Sequence, residues 1–259
     1  MIKLDSKKIA AQMYSLRKEF EQDPDHTLKT LKEIGFQAIQ LDGMRGHNPF
    51  YIKELVDKYG FEIAGMHIKH DRFIDDLDGI IEECYLFNCK TIYNKYIDEE
   101  YQTTKGYQQT KESMLKAVEK LSRLGFRLGI HCPEYDYTEE VNGYQILDYF
   151  TQPENGLTLY AEPDTYWIHM SGLDVYKEFE KFRKISPIVH LKNCIAETKD
   201  KDEAYNMTEL DTGVIDIKSI VKLGIENNVE YFCVEQDHSK IGMFDSMKQG
   251  FDYLVSLDV

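Results

Sequence analysis

Residues 116–131 read KAVEKLSRLGFRLGIH. The stretch begins as a helix, breaks at Gly125 and ends in a short apolar run closed by His131. Glycine is favoured just past a helix end because it takes the left-handed conformation there without a Cβ clash. The run after it has the length and composition of a buried strand. Helix, breaker and strand, with a chemically active residue at the strand's end, form the unit that decides the fold.

The same beat recurs on both sides. KTLKEIGFQAIQL (29–41) breaks at Gly35, and ELVDKYGFEIAGMH (54–67) breaks at Gly60. ECYLFNCKTIYN (83–94), PENGLTLYAE (153–162) and IENNVEYFCVEQD (225–237) repeat it less cleanly. The pattern predicts strands near 8–13, 37–41, 62–67, 90–94, 127–132, 157–162, 187–191 and 230–235. It predicts helices near 26–34, 51–59, 74–87, 107–124, 143–151, 173–184, 216–227 and 242–256. Eight alternating units predict an α/β fold, a single (β/α)8 TIM barrel, over an open doubly wound sheet. No linker-like or low-complexity tract divides the chain, so one domain over 1–259 is expected. Two stretches break the rhythm, at 94–110 and 193–216. Each follows a predicted strand, and the second, rich in charge, reads as a lid or an exposed excursion.

The charge balance limits the partners. Lys+Arg number 31 against 46 Asp+Glu, a net charge of −15 over 259 residues. Such a surface repels phosphate backbones and anionic membranes, so no nucleic acid and no membrane partner is expected. No run approaches the length of a bilayer span. The opening MIKLDSKKIAAQM has no apolar core ahead of a cleavage site, so a cytoplasmic protein is expected. Cys84, Cys89, Cys132, Cys194 and Cys233 form no CxxC and read as reduced thiols, with Cys132 beside His131 the one candidate for reactivity.

Four predicted strands end in a ligand-type residue: His131 in RLGIHC, Asp164 in LYAEPD, His190 in SPIVHLKN and Glu235 in YFCVEQD. In a parallel barrel the strand ends share one face, so these four form one candidate metal set. Two His and two carboxylates suffice for a divalent ion. Asp164 reads alternatively as a helix N-cap. Glu162 lies two residues before it and is a reserve ligand. Lys192 follows His190 by two and would stabilise a developing oxyanion. Glu235 and Asp237 share a face, one for metal and one to orient a His or handle a proton. His67 and His70 end the third strand as candidates for proton transfer or structure. Gln12, Tyr14 and Arg17 follow the first strand and are placed to hydrogen-bond a polyol, and Trp167 adds an aromatic wall beside Asp164. GxGxxG, GxxxxGK, HExxH and GxSxG are all absent, which leaves no support for a dinucleotide site, a P-loop or a serine hydrolase.

QMYSLR (12–17), DTYW (164–167), VHLKN (189–193) and VEQD (234–237) together resemble the sugar phosphate isomerase/epimerase family of the xylose-isomerase-like TIM-barrel superfamily. The resemblance runs over roughly 8–256. It implies that Asp164, His190 and Glu235 bind one divalent metal ion (Mn, Co, Mg or Zn), with the fourth ligand among His131, Glu134 and Glu162. It implies a sugar or polyol-derived substrate. Two departures matter. Pro133 and Asp136 stand where relatives carry a second His and a Glu. DTGVID (211–216) keeps only Gly213 of a Gly-x-Gly loop, and an acidic loop is a poor phosphate site. A non-phosphorylated sugar, inosose or keto-sugar is therefore expected. The expected chemistry is isomerisation or epimerisation through an enediolate, with His67, His131 or a bound water as proton shuttle. A dehydratase on the same site and a catalytically retired binding barrel are the alternatives. A homo-oligomer is compatible with the sequence.

Overall fold

The computed structural model describes residues 3–131, 134–195 and 206–258. Eight parallel strands form one sheet: β1 (Ile9–Gln12), β2 (Ala38–Asp42), β3 (Glu62–Ile68), β4 (Thr91–Asn94), β5 (Arg127–Ile130), β6 (Tyr160–Ala161), β7 (Ile188–Leu191) and β8 (Tyr231–Val234). They pair in the order β6-β5-β4-β3-β2-β1-β8-β7. The seam between β6 and β7 is drawn together by Ala161 N donating to Ile185 O at 2.9 Å and His190 N donating to Pro163 O at 3.0 Å. A parallel bridge joins Asp164 to His190 at the same seam. The result is the expected (β/α)8 barrel, nearly closed.

The breakers act as read. Gly60 has φ 65° and Gly125 has φ 85°, and Asn88, Asn155 and Asn228 take the same left-handed region. Helix starts carry their own signals. Asn48 and Thr103 accept from the first turns of the helices Pro49–Tyr59 and Thr104–Arg123. Most of the core fills the space between sheet and helices. A smaller apolar layer of Ala10, Ala38, Ala64, Tyr93, Ile188 and Cys233 lies inside the barrel.

Several boundaries differ from expectation for local reasons. The helix expected over 143–151 begins at Ile146, because Asn142 and Gly143 (φ 54° and 81°) turn a small hairpin between Glu140–Val141 and Tyr144–Gln145. The strand expected over 157–162 is paired only at Tyr160–Ala161, since Glu154 and Leu157 close a tight turn before it and Pro163 follows. The stretch 94–110 is ordered: a turn at Glu99–Tyr101 leads into a helix that starts at Thr104. The described ends of 193–216 pair as a hairpin, Asn193–Cys194 with Met207–Thr208. Residues 196–205, the centre of the expected lid, lie outside the described residues.

Candidate metal centre and its cavity

Alternate residues of a barrel strand face its interior. On β2 these are Ala38, Gln40 and Asp42. At β6 they are Tyr160, Glu162 and Asp164, at β7 Ile188, His190 and Lys192, and at β8 Cys233, Glu235 and Asp237. Apolar residues thus occupy the floor, a hydrogen-bonded layer lies above, and charged groups crown the mouth.

The four sequence-predicted ligands come together. His131, Asp164, His190 and Glu235 are all buried, and one ligand atom from each lies within 4.8 Å of the others. The donors fit a divalent cation. His131 Nε2, Asp164 Oδ2, His190 Nδ1 and Glu235 Oε2 are buried; His190 Nδ1 lies 2.7 Å from Glu235 Oε2, and His131 Nε2 has no hydrogen-bond partner. Buried ligand-type atoms crowded together in this way, one of them unpaired, suit a cation between them. Asp164 also fills its alternative role. Its Oδ1 accepts from Tyr166 N at 2.9 Å and Trp167 N at 3.2 Å, capping the helix Thr165–Met170, while Oδ2 faces the centre.

The layer beneath sets the ring orientations. Gln40 Oε1 receives His190 Nε2 at 2.7 Å and Gln12 Nε2 at 2.9 Å. Gln40 Nε2 donates to Glu162 Oε1 at 2.5 Å, and Glu162 Oε2 meets His67 Nε2 at 2.6 Å. With Nε2–H given to Gln40, His190 presents Nδ1 to the centre. With Nε2–H given to Glu162, His67 keeps Nδ1 as a basic nitrogen. The His67 ring lies 4.9 Å from that of His131 and 5.4 Å from that of His190, centroid to centroid.

Lys192 stands over the carboxylates. Its Nζ lies 3.1 Å from Asp164 Oδ2, 3.2 Å from Glu235 Oε2 and 3.2 Å from Asp237 Oδ2. Burial pulls its ammonium down, but Asp164, Asp237 and Glu235 outweigh burial and hold it well above its ordinary value. Burial lowers His67, and burial with two neighbouring imidazoles lowers His131 further. Burial alone would lower His190 too, but Glu162 and Glu235 raise it to about 10. A cation entering between these carboxylates takes the place of that proton.

Above the centre opens a cavity of about 470 Å³. Tyr14, His67, Trp167, Lys192, Glu235 and Asp237 line it, together with Asp42, Lys95 and His70. Trp167 Nε1 and Asp237 Oδ1 are buried and unpaired. Three of the expected residues do not line the cavity. Gln12 does not reach the cavity: it is fully buried below the mouth and spent on Gln40 and the Tyr14 backbone. Arg17 lies on the outer side of Tyr14, 4.3 Å from its ring centroid, and donates to Asp237 O at 3.2 Å. Glu162, the reserve ligand, sits one layer down, bonded to Gln40 and His67, and with His67 and His131 it forms a second buried group able to hold a metal ion. His70, at the cavity edge, receives Asn94 Nδ2 at 3.1 Å. Cys132 and Pro133 lie outside the described residues, as does the side chain of Glu134. Cys84, Cys89, Cys194 and Cys233 are buried and form no disulfide among the described residues.

Gln40, Asp42 and Lys95 were not singled out by the sequence pattern. Asp42 was legible, since it ends the run AIQLD as Glu235 ends YFCVE. Gln40 carries no metal donor, and Lys95 follows a strand that ends in Asn94, so neither gave a ligand signal.

No family profile and no curated protein sequence matches the chain. Solved structures do. A sugar phosphate isomerase/epimerase from Parabacteroides distasonis superposes with a TM-score of 0.79 at 18% identity, over 98% of this chain and 95% of that one. The fold is that of the xylose-isomerase-like TIM barrels. The probable 3-DHS dehydratase AsbF from Bacillus anthracis matches at TM-score 0.73 and 14% identity, over 97% of this chain and all of the other (100%). A xylose isomerase-like TIM barrel protein from Mycobacterium smegmatis, in complex with magnesium, matches at TM-score 0.70 and 15% identity, covering 98% and 97%. At these identities the likeness establishes the fold. No described helix is long and apolar enough to cross a membrane.

Proposed function

We propose that the protein is a metal-dependent isomerase or epimerase of a sugar or keto-sugar, working through an enediolate. The observation that carries this reading is the convergence of four buried ligand atoms beneath a sugar-sized cavity. One divalent ion, held by His131, Asp164, His190 and Glu235, would supply Lewis acidity toward a carbonyl and an adjacent hydroxyl.

The chain's own residues do the rest. Trp167 Nε1–H and Asp237 Oδ1 hold substrate hydroxyls, and Tyr14 closes one wall. The Lys192 ammonium, fixed among three carboxylates, stabilises the enediolate oxygen without reorganising. His67 Nδ1 accepts the carbon-bound proton as the C–H electrons enter the enediolate, and returns a proton to the neighbouring carbon or the same one. Glu162 keeps His67 in the tautomer that allows this.

A dehydratase would use the same residues and expel a β-hydroxyl from the enediolate, so the products separate the two readings. Metal-loaded protein incubated with keto-sugars and inososes in D2O should place deuterium on the carbon beside the carbonyl and give an isomer or epimer. An unsaturated ketone released with water would move the assignment to the dehydratase. No exchange with any substrate, in protein that also holds no metal, would favour a binding barrel.

A further inference from the structure

A second cavity of about 420 Å³ adjoins the first and shares Asp42, His67, Lys69 and Lys95 with it. Its lining carries four cations, Arg45, Lys69, Arg72 and Lys95, against two carboxylates, Asp42 and Glu83. That is a positive pocket in a protein of net charge −15. The pairing inside it leaves charge over. Asp42 is buried and serves two cations at once: Lys95 Nζ lies 3.0 Å from Oδ1, and Arg45 pairs with Oδ2. Arg72 pairs with Glu83 at 2.9 Å and with Asp76 at 2.7 Å. Lys69 is exposed at the rim.

Two further observations aim this charge at a ligand. Arg45 Nε is buried without a hydrogen-bond partner. Arg45 also sits at φ 48°, between Gly43 and Gly46 at 68° and 85°, a conformation that costs a residue with a side chain. Strain of this kind is held where function needs it. A part-buried excess of positive charge is relieved by an anion, and guanidinium and ammonium donors suit its oxygens.

We propose that this side pocket is an oxyanion subsite, taking a carboxylate or a phosphate carried by the substrate whose reacting carbons lie over the metal centre. The proposal rests on the sugar-isomerase reading and deepens it. A phosphate there would revise the expectation of a non-phosphorylated substrate, and a carboxylate would keep it. That expectation came from the loop after β7, where Asp211 accepts from Gln249 at 2.7 Å on the outer surface. The subsite lies elsewhere on the mouth, at the ends of β2, β3 and β4.

The test is calorimetric titration of metal-loaded protein at low salt with gluconate, with inorganic phosphate and with neutral sorbitol, alongside elemental analysis. Lys95→Gln should weaken the preferred anion roughly tenfold, as loss of one charge-assisted hydrogen bond dictates. Lys95→Arg should restore most of the affinity. The exposed Lys69→Ala, which leaves folding intact, should cost about threefold through its longer-range charge. Sorbitol binding should fall by less than anion binding in each variant. Tighter gluconate than phosphate would assign a sugar acid, and the reverse a phosphate ester. Wild-type binding of neither anion, or unaltered binding in both Lys95→Gln and Lys69→Ala, overturns the subsite. Metal content reports separately. Lys95-dependent anion binding in protein that takes no metal keeps the subsite and removes the isomerase reading.

Discussion

The two halves of the barrel mouth are built from opposite chemistry. The ends of β5 to β8 gather two imidazoles and two carboxylates whose ligand atoms converge. The ends of β2 to β4 gather Arg45, Lys69 and Lys95 around one carboxylate. One half suits a cation and the other an anion. The net charge therefore does not describe the mouth. On the proposed reading the halves divide the work, chemistry on one side and placement of a charged substrate on the other.

The largest expected effect would break the cation half. Asp164→Asn keeps the oxygen that caps Thr165–Met170 and removes the ligand charge. Bound metal should be lost and turnover should fall roughly a thousandfold or more, as several kcal/mol of charge stabilisation disappears. Elemental analysis and a rate assay read both. Asp164→Ala should lose the metal as well and, with the cap gone, about 1 kcal/mol of stability by denaturant titration.

Next comes the layer beneath. Glu162→Gln leaves every proposed ligand in place but removes the carboxylate that orients His67. Metal affinity should weaken roughly 10- to 100-fold by competition with a chelator dye. An unchanged affinity would show that the lower layer is packing alone. Metal itself should stabilise the fold: at a thousand times its dissociation constant the gain is about 4 kcal/mol, visible as a rise in Tm that chelator reverses.

The smallest effect serves as a control at the opposite end of the barrel. Arg127 and Glu230 form a two-pronged pair with contacts of 2.5 Å and 2.7 Å, far from the mouth. Arg127 lowers the Glu230 carboxyl. The pair's stability is therefore present above the ordinary carboxylate range and fades as pH falls through the lowered value. Arg127→Ala should cost about 1 kcal/mol or less near neutral pH, with that cost shrinking in acid and metal content unchanged.

Much of this was legible in the chain. The helix–breaker–strand rhythm gave eight strands in order, because glycine and asparagine end helices by a local conformational rule. The convergence of His131, Asp164, His190 and Glu235 followed from a single premise, that parallel strands share an end. What stayed hidden was mostly depth. Gln12 and Gln40 look like surface polar residues in sequence, yet the barrel closes over them and turns them into a hydrogen-bonded shelf. The sequence pattern predicts a helix from 143 where Asn142–Gly143 turn a hairpin, although both residues favour positive φ. The cationic pocket needs three strand ends and a strained loop to meet, and no local pattern announces that.

The central claim is that the converging ligand atoms hold one divalent ion. It is tested most directly by elemental analysis of protein purified without chelator, beside Asp164→Asn prepared in the same way. The account predicts about one equivalent of Mn, Co, Mg or Zn in the native protein and none in the variant, in keeping with a single four-ligand set. Native protein that stays metal-free after soaking, or a variant that keeps full occupancy, would contradict it.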